Sequence, residues 1–134
     1  MAISFLGLEY TRVNLDLRKR EMAEIQQWLS FSVNEMFNGP AMARAMVIFN
    51  RDFDAKRARA FTDTTLDHLE FPLQDHDRLA LDRFTPADIA CYPYVALIHE
   101  DHVSLDAFPS IRASIARVEA LPGYVSMPGL PFPG

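Results

Sequence analysis

Over residues 87–99 the chain is apolar on nearly every side of a helix: Ile89, Ala90, Cys91, Tyr92, Tyr94, Val95, Ala96, Leu97 and Ile98 leave no polar stripe. A helix without a polar face belongs among other helices, so this stretch predicts the centre of a bundle. The four residues before it carry the clearest local signal in the sequence. In Thr85-Pro86-Ala87-Asp88 the Thr85 hydroxyl can accept from the Asp88 amide, and the Asp88 carboxylate can accept from the Thr85 amide in return. Pro86 takes the first helical position, where a missing N–H costs nothing, and Phe84 and Ile89 occupy the two places of a hydrophobic staple.

The flanking segments supply the surrounding helices. Met22, Ile25, Trp28, Leu29, Ser32, Val33 and Met36 follow the three-four spacing of an amphipathic helix. Asn38-Gly39-Pro40 interrupts that pattern as a break or a kink, and the pattern resumes through Met42, Ala45, Met46 and Phe49. Asp54 is placed to cap a helix that turns Ala58, Phe61, Leu66 and Leu69 inward. Residues 71–83 read as a loop with a helical turn around Leu79-Ala80-Leu81. Pro109 opens a last helix, with Ile111, Ile115, Val118 and Leu121 inward and Arg112, Arg117 and Glu119 outward, and Pro122-Gly123 stops it. The proline- and glycine-rich end reads as an extended surface arm.

Before residue 22 the pattern is different. Ala2-Ile3-Ser4-Phe5-Leu6 followed by Gly7 reads as the end of a helix, and Arg12-Val13-Asn14-Leu15-Asp16-Leu17 alternates like a half-buried strand. A lone strand has two unpaired edges, so it pairs with another chain, frays, or is no strand.

Composition narrows the classes. At 134 residues with 49% hydrophobic and 23% charged residues, the chain can bury a core without disulfide or metal, and disorder over most of its length is excluded. Thirteen Lys and Arg against 18 Asp and Glu give a formal charge of −5, and the longest basic run is Arg18-Lys19-Arg20, which argues against a nucleic-acid partner. The apolar run of residues 89–98 is too short to span a bilayer and contains Pro93, and the N-terminus lacks the pattern of an export signal. With Cys91 the single cysteine, the expected setting is a reducing cytoplasm.

Taken in order, Gln27-Trp28-Leu29-Ser30-Phe31 with Asn34-Glu35, then the run from Phe84-Thr85-Pro86-Ala87-Asp88 through Tyr92-Pro93-Tyr94, then Pro109-Ser110-Ile111-Arg112 and Leu121-Pro122-Gly123-Tyr124, resemble the C-terminal helical domain of a glutathione S-transferase. The resemblance covers about residues 23–130. It implies an all-α helical bundle over residues 22–134, with a folding role for Thr85 and Asp88. Residues 1–21 resemble the end of the first helix and the second strand of that family's thioredoxin-like domain, so a short α/β remnant is expected there. In the family the thiol-activating Ser, Tyr or Cys stands before that point, upstream of Met1 here. The Val-Pro turn and the acidic-Ser pair that hold glutathione are missing from this sequence. By this resemblance the chain reads as a transferase with its first strand removed and most of the second half of its thioredoxin domain deleted.

What remains is the half that shapes the pocket for the hydrophobic second substrate and part of the dimer interface. Ser30, Asn34 and Phe37 share one helix face at spacings of four and three, and by resemblance this face looks toward the glutathione pocket and a neighbouring subunit as a substrate-binding face; the residues themselves read first as interface or surface residues with no ligand. Cys91, in an apolar helix without a nearby His or Lys, reads as a core residue rather than a nucleophile. His99-Glu100-Asp101-His102 reads as a solvated loop, and no metal site is expected. Tyr92 and Tyr94 read as packing residues. Two functions stay open. One is a transferase conjugating glutathione, its cosubstrate, to hydrophobic electrophiles, impaired unless a second chain rebuilds the thiol site. The other is a catalytically silent protein–protein interaction domain. Either predicts a homodimer or other protein partner, because the helix face that would meet a thioredoxin domain is left open.

Overall fold

The computed structural model describes residues 18–126, and over these the chain is all-α, without a strand. Its helices are α1 (Arg18–Phe31), α2 (Met42–Phe49), α3 (Ala55–Leu73), α4 (Pro86–Ala96) and α5 (Pro109–Glu119), with a 3₁₀ turn at Ile98–Asp101. The strand expected over residues 12–17, and the arm beyond residue 126, lie outside the described residues. The expected remnant over residues 1–21 does so up to residue 17, while its last four residues form the first turn of α1.

Asn38-Gly39-Pro40 does not break the first helix. A π-helical stretch, Ser32–Ala41, joins α1 to α2, with Pro40 inside it. In an i→i+5 ladder the missing Pro40 N–H would have served the carbonyl of Glu35. The Thr65 hydroxyl on α3 donates to that carbonyl instead, at 3.3 Å. Gly39 lets the two helices approach this closely, since a Cβ there would stand 2.8 Å from the Thr62 amide nitrogen and 2.9 Å from the Phe61 carbonyl carbon. The wider register also decides which side chains face in. Ser32, Met36, Gly39 and Pro40 are buried, whereas Val33, expected inward, is 73% exposed.

Asp54 caps α3 as expected, accepting from the Arg57 amide at 3.0 Å. The helix then continues to Leu73 rather than giving way to a loop at Phe71. Pro72 is tolerated because it falls in the last turn, where the donor it lacks would have gone to exposed His68. The extra turn buries Glu70 and Leu73. Both Glu70 carboxylate oxygens accept backbone amides at the start of α5, Ser110 at 3.0 Å and Ile111 at 2.9 Å. Phe108, at the N-cap of α5, makes no side-chain cap, so a carboxylate from 40 residues earlier supplies it.

Helix α4 packs on α1, the π-helical stretch and α5. It contributes Cys91 and Val95 to a core with Met36, Leu66, Leu69, Leu73, Ile98, Val103 and Ile111. Its central place holds on three sides; among the described residues the side carrying Ile89, 57% exposed, is open. Tyr92 reaches from α4 to the end of α5, donating to Glu119 at 3.1 Å and meeting the Tyr124 hydroxyl.

Candidate functional site

A groove of about 630 Å³ runs between α1, with the start of the π-helical stretch, and the C-terminal half of α3. The first wall presents Gln27, Trp28, Ser30, Phe31, Asn34 and Glu35, and the second presents His68, Phe71 and Pro72. The spacings on each side are those of one helix face. Trp28 and Phe31 meet edge to face, ring centroids 5.3 Å apart at 76°, which gives the first wall a stiff aromatic step. Phe71 stands opposite, 76% exposed. The polar groups are tied from behind. Gln26 donates to the Ser30 hydroxyl at 3.3 Å, and Asn38 Nδ2 donates to the Asn34 carbonyl at 2.8 Å and to its side-chain oxygen at 3.2 Å.

Of the residues expected at a substrate pocket, Ser30 and Asn34 line this groove together, and Phe37 does not. Phe37 is about half exposed on the π-helical stretch beyond the groove. The second wall is not visible to local sequence rules, which make Phe71 and Pro72 loop residues. The available signal was the continuation of the buried row from Leu66 and Leu69 to Leu73, which carries the helix past Pro72.

Thr85 and Asp88 sit away from the groove, buried at the start of α4. The Thr85 hydroxyl accepts from the Ala87 amide at 3.3 Å, and Asp88 Oδ2 accepts from the Thr85 amide at 2.9 Å, within a reciprocal capping box. Asp88 Oδ1 also accepts from the Leu79 amide at 3.2 Å, so one carboxylate fastens the 74–85 loop to α4.

Cys91 is 2% exposed, and burial pushes its thiol up to about 12, with the Asp88 charge adding to the effect. Such a thiol is no nucleophile at neutral pH. The stretch expected to be a solvated loop at residues 99–102 is corrected by the structure: His99 and His102 are exposed, but Glu100 and Asp101 are buried in the 3₁₀ turn. Glu100 pairs with Arg44 of α2. Asp101 Oδ1 accepts from the Val103 amide at 3.2 Å, Oδ2 has no hydrogen-bond partner, and burial raises the carboxyl to about 6 against the lowering pull of Arg59 and His102. The apolar neighbours of Ile98 and Val103 draw the turn into the core, and the carboxylates go with it. Among the described residues no three His, Cys, Asp or Glu side chains gather as a metal site would require, and no helix is long and apolar enough to cross a membrane.

No protein-family profile matches the sequence, and no curated protein matches it. Solved structures do. The chain is similar to a glutathione S-transferase from Xanthobacter autotrophicus, with TM-score 0.76 and 26% identity over 81% of this chain and 55% of that one. A possible glutathione S-transferase from Rhodopseudomonas palustris also gives 0.76 and 26%, over 98% of this chain and 63% of that one. A glutathione S-transferase from Pseudomonas fluorescens gives 0.76 at 24% identity, over 93% and 64%. The chain thus has the all-helical fold expected of a glutathione S-transferase C-terminal domain, and it spans between 55% and 64% of the length of these structures.

Proposed function

We propose that this chain is the helical half of a glutathione-transferase-type protein, and that the groove between α1 and α3 holds the hydrophobic electrophile to which glutathione is conjugated. The observation that carries this reading is the groove itself. In a fold shared with glutathione S-transferases, Ser30 and Asn34 stand between the aromatic walls of Trp28, Phe31 and Phe71, in a space sized for a small ligand. Cys91, the single cysteine of the chain, is buried in the core and does not line that groove. In this reading, activation of glutathione and the grip on its carboxylates come from residues of this chain outside 18–126 or from a second copy of it. A cytoplasmic setting goes with it.

The test is calorimetry of the full chain with glutathione, followed by a conjugation assay with a neutral aryl electrophile. Saturable heat with a Kd near millimolar or tighter, and glutathione-dependent loss of the electrophile, support the proposal. No heat at saturating glutathione overturns it.

A second reading, a catalytically silent interaction domain, is favoured by the exposure of Val33 and Phe37 on the π-helical stretch, at 73% and 51%. Apolar side chains this open on one helix suit a homodimer or another protein partner. A clean monomer in sedimentation at micromolar concentration removes the homodimer.

A further inference from the structure

The groove holds one imidazole, His68 on its second wall; at a pH where imidazoles are neutral, the walls of the α1–α3 groove carry charge of one sign. Glu35 stands on the first wall, and neither Lys nor Arg lines the groove. Three aromatic rings, Trp28, Phe31 and Phe71, line it, and the face of an aromatic ring is a site of negative potential. The formal charge of −5 on the whole chain works in the same direction at longer range. A ligand anion entering here finds a carboxylate and aromatic faces; a ligand cation finds a countercharge and two or more rings to lie against.

We propose that this groove selects aromatic ligands that carry a positive charge, an aryl ring bearing a quaternary or protonated nitrogen, over neutral and anionic ones. The proposal rests on the groove being the ligand pocket of the reading above, and it names the charge class that pocket takes. The ring inserts between the Trp28–Phe31 step and Phe71, and Glu35 faces the cationic head. A cation over an exposed aromatic face and a carboxylate at a partly open site each shift affinity by about two- to fivefold. Together they set an expected preference of about four- to 25-fold for a cationic over an anionic ligand of the same shape. Because both effects are electrostatic, the preference shrinks as salt rises.

Trp28 is the single tryptophan of the chain and lines this groove, so one indole N–H signal follows binding there. The experiment titrates the full chain with phenyltrimethylammonium, benzenesulfonate and benzyl alcohol, which share one ring and differ in charge. It is run at pH 8, above the ordinary imidazole range. The expected result is a saturable shift of the indole signal with phenyltrimethylammonium, at a Kd about four- to 25-fold below that for benzenesulfonate. Glu35→Gln should cut the preference by about two- to fivefold, the part the rings supply remaining, while leaving benzyl alcohol unchanged. That substitution keeps the backbone carbonyl that accepts from Thr65, so the helix contact survives, and circular dichroism checks it. Equal or tighter binding of the sulfonate, or a preference untouched by Glu35→Gln, overturns the charge selection and leaves the pocket standing. If none of the three moves the Trp28 signal at tens of millimolar, the groove is no ligand pocket, and both readings fall.

Discussion

Replacing Gly39 by alanine sets two effects against each other, and the structure decides which wins. Alanine is the better helix former by about 1 kcal/mol, so propensity alone predicts stabilisation. Against that, a Cβ at residue 39 would sit 2.8 Å from the Thr62 nitrogen and 2.9 Å from the Phe61 carbonyl carbon, where ordinary contact begins at 3.4 Å. These are backbone atoms, so no rotamer change relieves the clash and the π-helical stretch must move off α3 by roughly 0.6 Å, a shift of the kind that overpacked cores undergo. The same movement draws the Thr65 hydroxyl, 3.3 Å from the Glu35 carbonyl, out of hydrogen-bonding range. Overpacking at about 1–3 kcal/mol and a lost hydrogen bond at about 1 kcal/mol outweigh the propensity gain, leaving a net loss of about 1–3 kcal/mol. Urea denaturation followed by circular dichroism should show the midpoint falling by about 0.5–1.5 M. Thr65→Ala should add less than its own full cost in the Gly39→Ala background, because the bond it removes is already broken. A Gly39→Ala variant as stable as the parent would refute the close approach, and with it the account of why Pro40 is tolerated.

Three further outcomes follow from buried groups. Glu70→Gln should lower stability by about 1–3 kcal/mol in the same denaturation assay, since a carboxylate accepting both the Ser110 and Ile111 amides becomes an amide with one acceptor. Asp101→Asn should stabilise by about 1–2 kcal/mol above pH 6. The folded carboxyl, raised from its ordinary 3.8 to about 6, binds its proton more tightly than the unfolded one, so the parent loses stability as pH rises through that window and regains it below pH 4, where the difference between the two proteins should vanish. Cys91, 2% exposed with its thiol pushed up to about 12, should react with an aromatic disulfide reagent at pH 8 only when urea opens the fold; prompt reaction in buffer would contradict its burial.

The features legible in the sequence are those whose partners lie within one turn. Asp54 capping Arg57, the Thr85–Asp88 box, Pro86 and Pro109 at helix starts, and the apolar row of α4 are all settled by residues three or four apart. What escaped has its partner far along the chain. Gly39 and Pro40 are signs of a broken helix until the Thr65 hydroxyl supplies the donor that Pro40 lacks and Thr62 sets the distance of approach. Glu70 is an unremarkable acidic residue on a helix until the start of α5, with no cap of its own, arrives beside it. The buried Glu100 and Asp101 are of the same kind: charge suggested solvent, but Ile98 and Val103 on either side carry them inward, with Arg44 as counterion for one of them.

The groove divides along this same line. Its first wall was half legible, because Ser30 and Asn34 stand one turn apart on a helix whose pattern is plain. Its second wall depended on whether α3 survives Phe71-Pro72, and local rules weigh proline as punctuation. The outcome turns on burial instead: Leu66, Leu69 and Leu73 all enter the core, and Glu70 tethers α5, so the final turn is held from outside while the missing donor falls where solvent can replace it. That turn places His68 and Phe71 opposite Trp28 and Asn34. A residue with no chemistry of its own in the groove, Glu70, thereby fixes one of its walls. Loosening the α3–α5 tether should therefore weaken any ligand that lies against Phe71 before it unfolds the chain.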